Sequence, residues 1–179
     1  DAQLRADQGL LDENLLDVVA GTEGVAVASP VLELALQPDL PQGADAADGP
    51  TSAGRTRRLD LVAIDLFAAA RVTPGLLPVA AERAGSAFAS DATTRIFDPT
   101  AVFLSDAASA IWTEPALVVR HGSEAVGLEV AGRVPGAATG QPLAVMDLGS
   151  AQWAFGAVGR LSRIDIKIEA GQSLAAVTA

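Results

Sequence analysis

The chain has no cysteine, no tyrosine and a single histidine, His121. Without cysteine there are no disulfides and no thiolate metal ligands, and the compartment stays open, because periplasmic and cytosolic domains both do without it. One histidine cannot supply the ligands of an ordinary zinc site, and a nucleophile–base–orienter arrangement would rest on His121 alone. Aromatic residues make up only 4% of the chain, so five Phe and two Trp cannot both fill a core and line a nucleic-acid stacking platform. Positive charge is scarce too. The sequence sets 22 acids against 12 Lys plus Arg, a formal charge of −10. That field repels phosphate backbones and anionic bilayer surfaces, so nucleic acid is not expected as a partner. No stretch approaches the ~18–20 uninterrupted apolar residues of a membrane-spanning helix. The chain opens without Met or a signal peptide, as expected of a piece excised from a longer protein.

Half of the 179 residues are apolar, largely Leu, Val, Ile and Ala, enough for one ordinary domain or two small lobes. The most ordered signal is Leu143–Glu169. Leu143–Met146 is an apolar run expected of a strand buried on both faces. Asp147 stands at an N-cap position, where its carboxylate accepts from free backbone N–H groups, and is the acid most expected to be buried. Leu148, Ala151, Ala154 and Phe155 fall at helical spacing. Gly156 and Gly159 close that helix, and Ile164, Ile166 and Ile168 alternate with Asp165, Lys167 and Glu169 as a strand with one wet face. This is a β-α-β unit.

Earlier in the chain, Ala2–Ala6 reads as a short strand. Leu10–Ala20 reads as a helix with Leu11, Leu15, Val18 and Val19 on one side, ended by Gly21 and Gly24. Val25–Gln37 reads as a long strand, with Pro30 marking an edge or bulge because it cannot donate to a ladder. Pro38–Thr56 is rich in Pro, Gly and Asp and is expected to be a mobile connection. Leu59–Leu66 resumes as a strand, apolar on both faces towards its end. In the centre, short helices (Ala68–Val72, Pro78–Ala84, Asp106–Trp112) alternate with strands, Thr100–Leu104 the clearest, with Ser105 as an N-cap. Leu117–Val119 and Val126–Val130 flank a glycine turn as a hairpin. Ser173–Ala179 can begin a helix capped by Ser173.

Candidate chemistry is thin. His121 precedes the turn glycine and reads as a surface histidine. Gly21–Gly24 and Gly156–Gly159 match no phosphate-loop pattern and read as helix stops and turns. The carboxylate pairs Asp98/Asp106 and Asp60/Asp65 are explained as caps and turn residues. Arg55, Arg57 and Arg58 form a small solvated cluster, and Trp112 and Trp153 default to the core. No catalytic, cofactor-binding or metal-binding residue is assigned, and no cofactor is expected.

Read in order, Met146-Asp147, Ala151-Gln152, Phe155-Gly156, Gly159 and Ile164-Asp165 resemble the last β-α-β of the periplasmic core domain of MacB-type, FtsX-like ABC transporter permeases. Gly24-Val25 with Ala28-Ser29-Pro30-Val31, then Val62-Ala63-Ile64-Asp65, then Val102-Phe103-Leu104-Ser105 before an alanine-rich helix, are similar to further segments of that family. The family's Pro-Gly-Asp turn after that helix is replaced here by Trp112-Thr113-Glu114-Pro115. The resemblance implies an α+β fold in two lobes. Residues 1–66 and 137–179 would form a mixed sheet with two helices on one face, and residues 67–136 a smaller, β-rich inserted lobe. It implies an extracytoplasmic domain of a permease subunit in the inner membrane, set between two membrane helices on the periplasmic side. Such a domain is not an enzyme. It contacts a partner protein or a lipid or lipoprotein substrate, while a separate cytoplasmic ABC ATPase supplies the energy. Two alternatives remain open: a free-standing periplasmic substrate-binding module, and a hydrolase with an acid pair. The permease reading further expects the first and last strands to be antiparallel in one sheet, both chain ends at one pole, and the central lobe distal to them.

Overall fold

A computed structural model describes residues 2–39, 58–81, 95–138 and 140–172. In chain order its elements are β1 (Ala2–Arg5), β2 (Leu11–Asp12), α1 (Leu15–Ala20), β3 (Val25–Pro38), β4 (Leu59–Ile64) and α2 (Leu66–Val72). A 3-10 turn at Pro74–Leu76 leads into β5 (Val79–Ala80), β6 (Ala101–Leu104) and α3 (Asp106–Ser109). The hairpin β7 (Ala116–His121) and β8 (Glu124–Arg133) follows, then β9 (Leu143–Asp147), α4 (Leu148–Ala154), β10 (Arg160–Leu161) and β11 (Arg163–Ile168).

The frame is a nine-stranded mixed sheet in the order β1-β11-β3-β4-β9-β6-β8-β5, with β7 paired to both β8 and β3. β4 sits at its centre because its sequence is apolar on both sides. Leu59, Leu61 and Ala63 face one hydrophobic cluster, Val62 and Ile64 the other. β9 runs parallel to β4, and its Ala144 and Met146 join the first cluster while Leu143 and Val145 join the second. β9, α4 and β11 make the expected β-α-β, with β3 and β4 lying between its two strands.

Each side of the sheet has its own cover. Leu16 and Val19 of α1, Leu148 and Ala151 of α4, and Ala108 of α3 pack into the first cluster. Leu66 and Ala69 of α2 pack into the second. The helices flanking the first and last strands thus share one face, as expected from their single apolar stripes. The central segment joins this frame at two seams. β6 is antiparallel to β9 through Phe103–Val145 and Leu104–Ala144. β7 meets β3 through Gln37–Arg120 and Pro38–Val119, backed by Asp39 N–H donating to the Val118 carbonyl at 2.8 Å. Strands β3, β4, β9, β6, β8 and β7 therefore close into a ring around Leu32, Leu36, Leu61, Leu104, Val119 and Leu128. Closure removes exposed ladder edges along those strands.

Several local expectations are corrected. The helix expected over Leu10–Ala20 starts only at Leu15, because Leu11–Asp12 pairs with Arg160–Leu161 and buries Leu11. The Asp12 carboxylate then accepts from Asn14 N–H and turns the chain, which resets the helical phase. Leu16 and Val19 face inward, while Leu15 and Val18 are exposed. Val79–Ala80 is a strand rather than part of a helix, since its ladder to β8 outweighs local propensity. The last strand is broken at Ser162, whose Oγ accepts from Glu33 N–H at 2.8 Å and frees β10 to pair with β2. Pro30 lies in the half of β3 that pairs with β11 but not β4, so its missing N–H costs no ladder bond on that side. Residues 40–56 of the expected mobile connection, Glu82–Ala84 of the Pro78–Ala84 segment, and Ser173–Ala179 lie outside the described residues.

Candidate functional site: the polar face at the pole of the terminal strands

The residues singled out in the sequence go mostly to local structure. Asp147 caps α4, its Oδ2 accepting from Ser150 N–H and Ser150 Oγ, both at 3.0 Å. Asp65 caps α2 by accepting from Phe67 N–H at 2.8 Å and Ala68 N–H at 3.0 Å. Asp60 accepts from Arg58 Nε at 2.6 Å, and Asp106 pairs with Arg133 at 3.6 Å. Asp98 accepts from Thr100 N–H at 2.9 Å and from its hydroxyl at 2.7 Å. Those two bonds, the backbone one foremost, hold the Asp98 carboxyl below the ordinary carboxylate range; partial burial opposes them and the Arg95 charge assists. His121 ends β7 opposite Glu124 and presents its ring edge-on to Phe155, centroids 5.8 Å apart. Gly24, Gly156 and Gly159 take positive φ in the turns expected of them. Arg55 and Arg57 lie outside the described residues. Trp112 is core, but Trp153 is 81% exposed on the outer side of α4, because Ala151 and Gln152 are the residues that turn inward there.

Ala151-Gln152 has a specific task. The Gln152 amide donates to Glu13 Oε2 at 3.0 Å and to the Arg160 carbonyl at 3.2 Å. It therefore ties α4 to the loop before α1 and to β10. A polar residue on the inner side of a helix is satisfied here by the next strand and by a carboxylate at the far end of the chain, and no local pattern announces the second partner.

The densest polar structure lies on the α2 side of β1, β11 and β3. Register places Gln3, Asp165 and Ser29 in one cross-strand row, and Arg5, Arg163 and Val31 in the next. Arg163 Nε donates to Asp165 Oδ1 at 2.7 Å, and its other arm donates to Glu33 Oε1. Arg5 donates to Glu33 Oε2 at 3.2 Å, so Glu33 is shared between two guanidiniums. Arg163 and Asp165 are 7% and 3% exposed. The wet face expected of β11 is thus covered where Asp165 stands, because β1 and β3 flank it and α2 packs across. Among the described residues Asp165, not the half-buried cap Asp147, is the buried acid. Nearer the end of β11, Lys167 Nζ donates to the Arg71 carbonyl at the end of α2, at 3.0 Å.

This face belongs to one pole of the molecule. β1 and β11 are antiparallel, with Ala2 opposite Ile166, so β1 starts where β11 ends. β3 starts there too, Val25 opposite Ile168, with Glu169 N–H donating to the Gly24 carbonyl at 2.9 Å. Asp1 and residues 173–179 lie outside the described residues.

Taken as a whole, this mixed α+β fold is that of the extracytoplasmic domains of MacB-type ABC transporters. The extracellular domain of the noncanonic ABC-type transporter YknZ from Gram-positive bacteria is similar at a TM-score of 0.60 and 13% identity, covering 97% of this chain and 84% of that one. The periplasmic region of MacB from Actinobacillus actinomycetemcomitans is similar at 0.55 and 12% identity, covering 94% of this chain and 69% of that one. No protein-family model and no curated protein matches the sequence, so the likeness is one of fold.

Proposed function

We propose that this chain is the extracytoplasmic domain of an ABC transporter permease subunit. It lies on the periplasmic side of the inner membrane, between two membrane helices, and has no catalytic activity of its own. In this reading residues 1–66 and 137–179 form the lobe next to the membrane. Residues 67–136 form the distal lobe that meets a partner protein or a lipid or lipoprotein substrate. A separate cytoplasmic ABC ATPase drives the membrane helices, and the paired strands β1 and β11 pass that movement into the sheet. The observation that carries the reading is the fold likeness over 97% of the chain to an ABC-transporter extracellular domain. The adjacency of the first and last strands at one pole agrees with it, because an inserted domain must receive and return the chain at the same end. Termini are often close in unrelated domains, so the fold carries more weight.

The chain itself holds no cysteine, so once any cysteine elsewhere in the parent protein is replaced by serine, a single introduced thiol gives a direct test. Trp153→Cys, at an exposed position on α4, is introduced into the full-length parent protein in its own cells. A membrane-impermeant maleimide is expected to label it in cells with a permeable outer envelope and an intact inner membrane. Labelling only after lysis would place the domain in the cytoplasm and end this reading.

A further inference from the structure

Five of the nine large apolar side chains that stand exposed among the described residues come from two short stretches: Leu10, Leu15 and Val18, then Trp153 and Val158. Single apolar residues are ordinary on a surface, but a contiguous group of them marks a site of contact. These five are gathered around Glu13. Its N–H donates to the Gly159 carbonyl at 2.9 Å, beside Val158, and its carbonyl accepts from Leu16 N–H at 2.9 Å, beside Leu15. Its carboxylate accepts from the Gln152 amide at 3.0 Å. Successive residues stand about 100° apart around a helix, so Trp153 flanks Gln152 on the side away from the buried Ala151. Leu10 adjoins Leu11, which the ladder sets opposite Leu161, and Val18 lies one turn on from Leu15 in α1. The outer faces of α1 and α4, with the turn before β10, thus make one apolar surface. At 81% exposure Trp153 is its most prominent member.

Charge narrows what covers it. Residues 7–23 carry Asp7, Asp12, Glu13, Asp17 and Glu23 and no Lys or Arg. All but Glu13 are exposed, while the α4–β10 stretch adds one base, Arg160, opposite Asp12 in the ladder. A second copy of this chain would bring the same acids to the contact, and an anionic bilayer would bring phosphates, so both are repelled. A neutral bilayer gains nothing from an acidic rim. We infer that this surface docks a partner protein presenting apolar side chains ringed by Lys and Arg, with Trp153 as the anchor. Tryptophan is enriched among the few residues that carry binding energy at interfaces. The acidic rim steers the basic ring into register and speeds the encounter. None of the five apolar residues lies in residues 67–136, so this contact is additional to the one proposed for the distal lobe.

The test is a titration of the ¹⁵N-labelled 179-residue chain, followed by amide shifts. The probes are a synthetic amphipathic helix of Leu and Lys, its counterpart of Leu and Glu, and phosphatidylcholine vesicles. Saturable shifts are expected at residues 10–18 and 152–159 with the Leu–Lys helix alone. Trp153→Ser is expected to weaken that binding about tenfold or more, as loss of an anchor does. Asp17→Asn is expected to weaken it about two- to fivefold, with a smaller effect in high salt. Phe67→Ser removes a comparably exposed aromatic from the opposite side of the sheet and is expected to leave binding unchanged. No saturable shift with the Leu–Lys helix, equal binding of the Leu–Glu helix, or unchanged binding by Trp153→Ser would overturn the inference. Shifts at these residues with the vesicles, or self-association of the chain alone through them, would overturn it as well. The inference stands on the folded chain and not on the permease reading. The maleimide test of that reading stays separate, because Trp153→Cys removes the anchor and leaves its thiol accessible.

Discussion

Ser105 holds three backbone groups through one oxygen. Its Oγ accepts from Ala108 N–H at 3.2 Å and Leu143 N–H at 3.0 Å and donates to the Gln141 carbonyl at 2.9 Å. It therefore caps α3 and fastens the start of β9 together. Removing it leaves a buried donor and acceptor unpaired, so Ser105→Ala is expected to cost ~2–3 kcal/mol in urea unfolding. Asp147→Ala removes a cap whose donors reach water more easily and is expected to cost ~1 kcal/mol. The reverse order would contradict this account of the two caps. Asp98 gives a pH signature. Its folded carboxyl ionises below the unfolded value, so the Thr100 bonds stabilise the fold above the ordinary carboxylate range, and that contribution fades as pH falls through the depressed folded value. Asp98→Asn is expected to lose stability at neutral pH and to converge with the parent chain in acid. A gap that persists in acid would argue against this role for Asp98.

At the scale of elements, the Arg163 network joins β1, β11 and β3. Arg163→Met leaves the buried Asp165 carboxylate uncompensated and is expected to cost ~3–5 kcal/mol, whereas adding Asp165→Leu recovers much of it by removing the stranded charge. Equal stability of the single and double variants in denaturant would refute that coupling. The backbone contact between Gly136 and Gly75 makes a second test, because a Cβ on Gly136 overlaps the Gly75 carbonyl and α-carbon. Gly136→Ala is expected to destabilise by ~1–3 kcal/mol, as overpacking does, where an unhindered glycine would gain from the same change. β4, β9 and the caps were legible because their residues answer to their own neighbours along the chain. The phase of α1 was not, since a two-residue ladder to β10 decided where the helix began.

For the whole molecule, the pairing of β1 with β11 is the property to test. The cysteine-free chain allows Ala2→Cys with Ile166→Cys, directly opposed residues of an antiparallel pair. That pair is expected to form a disulfide under mild oxidation and to raise the thermal midpoint, because the cross-link restrains nearly the whole unfolded chain. Failure to oxidise would show that the two strands are not in this register. The closed ring of six strands has two seams of only two residue pairs each, β6–β9 and β3–β7, and the exposed Arg120–Asp39 ion pair meets at the latter. An exposed pair contributes little, so the apolar interior holds the seam.

What the sequence settled by itself was whatever depends on neighbours along the chain. That covers the two-sided apolar strands Leu59–Ile64 and Leu143–Met146, the caps Asp147 and Ser105, the glycine turns, and the ordered motifs that resemble the MacB-type domains. Tertiary structure alone decided which acid is buried. Asp165 alternates along β11 like a surface residue, and only the flanking strands and α2 cover it. It also decided that Gln152 bridges to Glu13, that Trp153 faces solvent, and that β7 closes against β3. Each of these depends on groups far apart in sequence, whose approach is fixed by packing and burial, and periodicity carries no record of which distant segment will supply the cover.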